Sequence, residues 1–421
     1  MAENLSPDPP GAPDRPEPSD RPEAPEALLA RRFRASGQYE LVSYERLTAP
    51  ERSALEGLRD DPDFYGILRP RGGGESGLGI KRMDPEGALL FLTLAEPGPI
   101  PGYLRRRLGA ECGRAITQLV LDQVLEVETA GGFLSGPRAS AELGSGAPAP
   151  PARDRLARLS IAALRYAGDL AGLPASALSS RLYLYGRIPA SPRWRARLAD
   201  RGAAADYLGL GPGGAVRSAL RRRWREVSLS PPNDVWFLWQ SREPRRSPPP
   251  GKYTYKVYVS PRPEALPEAL QRTVATLAEL GAPTFKVGDN LHDLLRPDKL
   301  VIYFGSREEL DEVAERLVPA LAGLPAQGVP FTAALGGDGL VSWGIDPPPE
   351  EYTLPWLGAE SWRIWITNRL ATALVAAREA EPDGPDGIEG WRFALERLRL
   401  EGVDTGTWAP TEVATVTGSS R

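Results

Sequence analysis

Proline-rich segments divide the 421-residue chain more strictly than any other feature of its sequence. The chain begins with "MAENLSPDPPGAPDRPEPSDRPEAP", and "GPRASAELGSGAPAPPARD" occupies 136–154. Such segments lack backbone donors at proline and contain little to bury. We predict a disordered tail at 1–35, a linker at 137–154 and a flexible tail at 403–421. The chain is too long for one typical core, so 36–136 and 155–402 are the two predicted domains.

Composition excludes several classes of protein. Lys and Arg number 51 against 55 Asp and Glu, a net charge of -4, which argues against a protein that coats nucleic acid despite local basic runs such as "YLRRRLG". One cysteine, Cys112, and one histidine, His292, rule out an internal disulfide and the usual zinc sites. No apolar run approaches the roughly 18 residues of a membrane span. We therefore expect no membrane association and a cytoplasmic location.

The first predicted domain has the element order of a small recognition module. Thr48 and Glu51 have capping-box spacing at the start of a helix. Strand-like segments, "YGILRPRGGGESGLGIKRMD" and "GALLFLTL", surround a glycine loop, and two helices and a β-ribbon follow. This order resembles a winged helix, and it is most similar to the PqqD-type elements that bind the leader of a ribosomally made peptide. The resemblance implies that 36–136 recognises a leader peptide.

The second predicted domain alternates strands with long helices, which indicates an α+β fold. "KYTYKVYVS", "PTFKVGD" and "KLVIYFGS" are typical of strands, and "PFTAALGGDGLVSWG" is typical of a hairpin. Between the first two strands, "PEALPEALQRTVATLAELG" predicts an amphipathic helix that stops at Gly281. Its apolar face consists of Leu266, Leu270, Val274 and Leu277.

Two strands of this domain carry lysine on the side that points away from the core. Alternation puts Lys256 and Tyr258 on one face of the first strand and turns Lys286 outward on the second. If the strands are neighbours, these side chains line one surface. "GDNLHDLLRPDK" adds His292 and Arg296 directly downstream. Such a surface is typical of a solvated sheet face or of an anion site, and the residue types leave both open.

Six segments within 180–382 resemble the HopA-type effector family. They are "RLYLYGR", "YKVYVS", "PTFKVGDN", "RPDKLVIYF", "VPFTAALGGDGLVSWGIDPP" and "ESWRIWITNRLATALVAA". Members that act in the biosynthesis of class V lanthipeptides and thioviridamide-like peptides are understood as lyases. They work beside a kinase-like protein and look like distant relatives of the bacterial phosphothreonine lyases. The resemblance implies β-elimination of phosphate from phosphoserine or phosphothreonine in a precursor peptide, with a kinase-like phosphotransferase as partner and no cofactor or metal.

The resemblance also implies roles for individual residues. Lys286 corresponds to the lysine base that takes the α-proton. The lyases have a K-x-H strand before that lysine, whereas this chain has Lys256-Val257-Tyr258, so the general acid is either Tyr258 or His292. The side chains expected to hold phosphate are Arg296, Lys256, Lys299, Arg369 and Arg187. The alternative is a non-catalytic subunit that binds phosphopeptide or leader in the same groove.

Overall fold

A computed structural model describes residues 25–71, 79–143, 151–170, 172–228, 235–243, 254–347, 360–380 and 389–411. The protein is mixed α+β, as the sequence predicts. In residues 25–143 the helices are α1 (Pro25–Leu29), α2 (Ala49–Ala54), α3 (Pro85–Thr93), α4 (Gly102–Leu108), α5 (Cys112–Leu121) and α6 (Gly136–Glu142). The strands there are β1 (Phe33–Ala35), β2 (Tyr39–Ser43), β3 (Gly66–Pro70), β4 (Lys81–Met83), β5 (Leu125–Thr129) and β6 (Gly132–Leu134).

The larger C-terminal part continues with ten helices and nine strands among the described residues. The helices are α7 (Arg155–Gly168), α8 (Ala175–Tyr183), α9 (Pro192–Arg197), α10 (Arg201–Tyr207), α11 (Ala215–Leu220), α12 (Leu266–Glu279), α13 (Leu291–Leu294), α14 (Arg307–Leu321), α15 (Trp362–Ala380) and α16 (Gly390–Leu400). The strands are β7 (Trp224–Val227), β8 (Trp236–Ser241), β9 (Tyr255–Val259), β10 (Phe285–Gly288), β11 (Leu300–Phe304), β12 (Ala333–Ala334), β13 (Val341–Ile345), β14 (Val403–Asp404) and β15 (Ala409–Pro410).

A seven-stranded antiparallel sheet organises this part, in the order β12-β13-β9-β11-β10-β8-β7. One face packs its alternate apolar residues, such as Val257 and Phe285, against α12 and α14. Gly281, with a φ of 87°, follows the last turn of α12, which confirms the predicted stop. A second core forms among α7, α8, α15 and α16. The sheet face away from α12 is therefore free to carry polar chemistry.

Residues 25–143 contain two three-stranded sheets, β1-β5-β6 and β2-β3-β4. The predicted capping box is present, because Thr48 and Glu51 exchange side-chain and backbone hydrogen bonds at the start of α2. The segment "GALLFLTL", predicted as a strand, is the helix α3. Asp84 accepts a hydrogen bond from the backbone of Gly87, and Pro85 occupies the first turn, so the helix start outweighs a short apolar run. The winged-helix arrangement and the two-domain division stay predictions.

Three predicted boundaries are corrected at their edges. The tail at 1–35 includes α1 and β1, because Leu28 and Phe33 are buried in the core. The linker at 137–154 begins with α6, where Ser140 donates a hydrogen bond to Glu396 on α16 at 2.5 Å. The tail at 403–421 includes the β14–β15 pair, which surrounds the buried Trp408. Residues 1–24, 144–150 and 412–421 lie outside the described structure.

Candidate functional site

Lys256, Tyr258 and Lys286 share one face of the seven-stranded sheet, as alternation predicts. Their strands are not neighbours, because β11 lies between β9 and β10. Val301 on β11 pairs with Tyr258 on one side and Lys286 on the other, so Tyr258, Val301 and Lys286 form one cross-strand row. Two strand spacings place the Lys286 and Tyr258 backbones roughly 10 Å apart. A small group bound above Val301 is within reach of both side chains.

The N-terminus of α15 closes this surface. Gly344 lies opposite Lys256 in the sheet, and a side chain there would collide with the Trp362 ring, so glycine allows the helix to start directly over β13. Asp346 accepts the backbone N–H of Trp362 at 2.9 Å. The N-terminal end of α15 therefore brings Ser361 and Arg363 over the sheet face that carries Lys256 and Lys286. The positive end of a helix dipole adds to the attraction for an anion.

The resulting pocket has a volume of about 50 Å³, which holds a few water molecules or one small polar group. Its wall is part aromatic and part charged. The lining residues are Tyr183, Trp236, Lys256, Tyr258, Lys286, Asp298, Val301, Tyr303, Ser361 and Arg363. Three lining side chains are cationic and one is a carboxylate, so the pocket favours an anion.

Lys286 is held among aromatic rings and not by a carboxylate. Its Nζ lies 4.2 Å from the Trp236 ring centre and 5.7 Å from that of Tyr303. Within the described residues it forms no ion pair. Burial, followed by the charge of Lys256, lowers the pKa of Lys286 to about 8. A substantial fraction of this amine is neutral near physiological pH and is able to accept a proton.

Lys256 is held differently, although it lies on the same face. Its Nζ pairs with Oδ2 of Asp346 at 2.5 Å, and only 8% of the residue is exposed. The pair keeps Lys256 in place as a cation beside Lys286. Because a neighbouring cation favours the neutral form of an amine, the charge of Lys256 contributes to the lowered pKa of Lys286.

Asp298, one of the lining residues, contacts two arginines and a tyrosine. It accepts hydrogen bonds from Nε and Nη2 of Arg296 at 2.9 Å each and from the hydroxyl of Tyr183 at 2.8 Å. Nη1 of Arg363 lies 2.8 Å from the same carboxylate. Burial opposes the carboxylate, but Arg363 and Arg296 hold the pKa of Asp298 well below its usual value. Arg296 also pairs with Asp293 and has no free bidentate fork. Arg296 thus fixes Asp298 in this structure, and its role as a phosphate ligand stays a prediction.

Arg363 is a pocket residue that the sequence analysis missed. It is 1% exposed and is anchored by hydrogen bonds to the carbonyls of Tyr183 at 2.6 Å and Pro330 at 3.3 Å. Its Nη1 makes the close approach to Asp298 but forms no hydrogen bond of good geometry with a described residue. This leaves buried N–H groups available at the pocket wall. The signal was its place in the first turn of α15, six residues before the predicted Arg369.

The two candidate acids are separated by the fold. Tyr258 is 3% exposed and lines the pocket, and burial, followed by the charge of Asp346, raises its pKa well above the ordinary value. His292 lies exposed on α13, outside the pocket lining, with its Nδ1 2.7 Å from Nη2 of Arg187. Asn290 caps α13 through the backbone N–H groups of His292 and Asp293 and so fixes this outward position. The geometry favours Tyr258.

The remaining predicted phosphate ligands also lie outside the pocket lining. Lys299 is fully buried and donates to the Pro261 carbonyl at 2.8 Å and to Gln327 at 2.6 Å, where burial lowers its pKa to about 7. Arg369 pairs with Glu401 and Glu360 between α15 and α16. Arg187 contacts His292, as described above. Of the five predicted ligands, Lys256 alone lines the pocket.

Two further properties of the described residues bear on function. They contain no group of three or more His, Cys, Asp or Glu that could hold a metal ion. None of their helices is both long and apolar enough to cross a membrane.

Among solved structures, the chain is similar at low identity to bacterial effector proteins. An effector from Pseudomonas syringae pv. tomato strain DC3000 is 12% identical over 61% of this chain and 98% of its own, with a TM-score of 0.36. One from Pseudomonas syringae pv. syringae strain 61 is 14% identical over 61% and 99%, with a TM-score of 0.35. The VirA (SpvC) phosphothreonine lyase effector of Chromobacterium violaceum is 16% identical over 41% and 99%, with a TM-score of 0.24. No protein-family model matches the chain, and the search of curated proteins gives no match.

Proposed function

We propose that this protein is a phosphoserine and phosphothreonine lyase. The observation that carries the proposal is Lys286, a half-buried amine with a pKa lowered to about 8, in a small pocket that also presents Lys256 and Arg363. A phosphate ester carries between one and two negative charges near neutral pH and needs such cations. An amine that is partly neutral beside them is the group required to remove the adjacent α-proton.

In the proposed reaction, neutral Lys286 takes the α-proton and becomes an ammonium group. The electron pair forms the Cα–Cβ double bond and the Cβ–O bond breaks, so phosphate leaves with the bridging oxygen. Tyr258 donates its hydroxyl proton to that oxygen while Arg363 and Lys256 hold the phosphate. Proton transfer from Lys286 to the tyrosinate, through water, restores both groups. The products are a dehydroamino acid and hydrogen phosphate, and no oxidant or reductant is consumed.

The natural substrate in this proposal is a ribosomally made precursor peptide, phosphorylated by a kinase-like partner and converted to dehydroalanine or dehydrobutyrine in lanthipeptide-type maturation. Residues 36–136 would bind its leader, and the reaction would take place in the cytoplasm. The support is the family resemblance of 180–382 together with the pocket chemistry.

A synthetic phosphothreonine peptide tests the activity directly. Incubation with the protein is expected to give a product that has lost phosphoric acid, visible by mass spectrometry and trapped by a thiol that adds to the new double bond. Free inorganic phosphate appears in both elimination and hydrolysis, so the thiol adduct is the decisive signal. Binding with the phosphate retained would instead identify a non-catalytic phosphopeptide-binding subunit.

The lowered pKa of Lys286 predicts the pH dependence of the reaction. The base is active when neutral, so kcat/KM is expected to rise by about tenfold per pH unit below pH 8 and to level off above it. Bound phosphate favours the ammonium form, so the inflection in kcat should lie at higher pH than that in kcat/KM. Rates measured from about pH 6.5 to 9.5 check both points. A kcat/KM that does not rise as the pH approaches 8 from below would contradict a lysine base.

A pair of conservative substitutions distinguishes the two candidate acids. Tyr258→Phe removes only a buried hydroxyl, and we expect kcat to fall by about 10²–10⁴-fold with little change in KM. His292→Gln alters a side chain outside the pocket lining and should leave kcat within about twofold, since the expected catalytic contribution there is nil. The reverse pattern would assign the acid to His292. Steady-state kinetics on one phosphothreonine peptide, with thermal melting of each variant, makes the comparison.

A further inference from the structure

A second, larger cleft lies between the β5–β6 hairpin and the C-terminal end of α15. Its volume is about 480 Å³, within the range of roughly 300–1,000 Å³ that is usual for ligand sites. Phe133 and Leu134 form one wall, and Ala376, Glu379 and Ala380 form the other. The catalytic proposal uses none of these residues.

The cleft presents two arginines without carboxylate partners among the described residues. Arg71 donates Nε to the carbonyl of Tyr39 at 3.1 Å, and Arg138 donates Nε and Nη2 to the carbonyl of Ala380 at 3.1 and 2.7 Å. Both side chains are exposed. Carbonyls orient these guanidinium groups but do not cancel their charge.

Two carboxylates also line the cleft. Glu126 is paired with Arg34 at 2.5 Å. Glu379 is exposed and opposes the arginines with a single charge. Because Arg34 balances the charge of Glu126, the two arginines of the cleft are opposed by Glu379 alone. The remaining charge is positive and favours an acidic ligand.

The hairpin wall favours an extended ligand. Strand β6 is at the edge of the β1-β5-β6 sheet, and its outer side is not paired in that sheet. An unpaired edge is a template for an additional strand, with backbone hydrogen bonds for affinity and side-chain pockets for specificity. The half-buried Phe133 and Leu134 supply apolar contacts on this strand. An acidic peptide with interspersed apolar residues matches both the charge and the edge.

Helix α15 connects this cleft with the pocket that contains Lys256 and Lys286, the lysine pocket. It runs without a break from Trp362 to Ala380, with Arg363 at the pocket and Ala376 to Ala380 at the cleft. At a rise of 1.5 Å per residue, the two sites are about 20–26 Å apart along the helix. An extended chain covers at most about 3.3–3.6 Å per residue, so a peptide needs at least about six to eight residues to bridge them.

We propose that the cleft binds an acidic and apolar segment of the same peptide whose phosphorylated residue occupies the lysine pocket, and that α15 sets the minimum spacing between the two. This rests on the proposed lyase function for the occupant of the pocket, whereas binding in the cleft is independent of catalysis. Segments with shorter spacing cannot occupy both sites and lose the gain that comes from two-site attachment.

The binding test uses the full chain and a fluorescent peptide of alternating leucine and aspartate without phosphate. By fluorescence anisotropy, the wild type is expected to bind it at least about tenfold more tightly than Arg71→Ser/Arg138→Ser does, since each lost charge contact contributes to affinity. The matched control is Arg221→Ser/Arg222→Ser, which removes the same charge from an exposed turn away from the cleft. Equal binding by the wild type and both double variants would overturn the site.

The spacing test joins the same acidic segment to phosphothreonine through Gly-Ser linkers of about four or about fourteen residues. The longer linker is expected to raise kcat/KM by about tenfold or more, and Arg71→Ser/Arg138→Ser should remove that advantage. Equal kcat/KM for both linkers would overturn the spacing set by α15. If no peptide is eliminated, the lyase function fails, and the anisotropy result still decides whether the cleft binds peptide.

Discussion

Lys286→Met is expected to lower kcat for phosphate elimination by about 10²–10⁴-fold, the usual contribution of a general base. Methionine fits the ring contacts with Trp236 and Tyr303 and removes only the group that accepts the proton. Lys256 and Arg363 remain to hold the phosphate, so KM should change far less than kcat. Thiol trapping and mass spectrometry of a phosphothreonine peptide, at enzyme concentrations high enough to follow slow turnover, measure the loss.

The same substitution is expected to maintain or raise stability. The lowered pKa of Lys286 means that the fold disfavours its charged form, and below about pH 8 that cost is present in the wild type and absent in the variant. The matched control is Lys81→Met, which removes a half-buried lysine that lies 3.6 Å from Asp122 and outside the pocket lining. Activity near the wild-type level in Lys286→Met, or an equal loss in Lys81→Met, would contradict the assigned base.

Side-chain alternation was sufficient to place the three central residues on one face. A strand has only two faces, so the positions of Lys256, Tyr258 and Lys286 follow from counting residues. Alternation contains no information on which strands are neighbours. Strand β11 follows β10 in the chain but also pairs with β9, which is distant in sequence, and its Val301 forms the floor between Lys286 and Tyr258.

The place of Arg363 could not be predicted from the sequence, because its partners Asp298, Tyr183 and Pro330 are distant in sequence. Arg296 and Arg363 both approach Asp298, but Arg296 also pairs with Asp293, whereas Arg363 lies at the pocket wall and its Nη1 forms no hydrogen bond with a described residue. Helix α15 is buried on several sides, so its sequence gives no amphipathic pattern to separate Arg363 from Arg369. The packing of α15 on α8 instead determines which arginine reaches the pocket, through the hydrogen bond from Arg363 to the Tyr183 carbonyl.

The sequence left Tyr258 and His292 open as candidate acids, Tyr258 for its position and His292 for its residue type. A histidine has the ordinary pKa best suited to an acid near neutral pH. The local sequence "DNLHD" nevertheless forms a capped helical turn that directs His292 toward Arg187. A capped turn is readable from sequence, since asparagine is a preferred N-cap, and it would have shown His292 and Lys286 to be on different elements.

Asp298→Ala is expected to cost about 3–5 kcal/mol of the free energy of unfolding, the usual loss when one member of a buried ion pair is removed. The carboxylate is 4% exposed and is the counter-charge shared by Arg363 and Arg296. Without it, Arg363 has no carboxylate partner among the described residues. Urea unfolding followed by tryptophan fluorescence measures the loss.

A surface pair provides the matched control for that measurement. Asp311→Ala removes the same side chain from a pair with Arg307 on α14 in which both partners are at least 40% exposed, so the cost should stay below about 1 kcal/mol. The two variants should also differ in pH dependence. Because the fold holds the pKa of Asp298 below its ordinary value, its stabilisation is full above about pH 4 and declines as pH falls below that value. The difference in free energy of unfolding between wild type and Asp298→Ala should therefore become smaller in acid. A difference that is small at pH 7, or that stays constant down to about pH 2, would show that Asp298 does not hold the arginines in place.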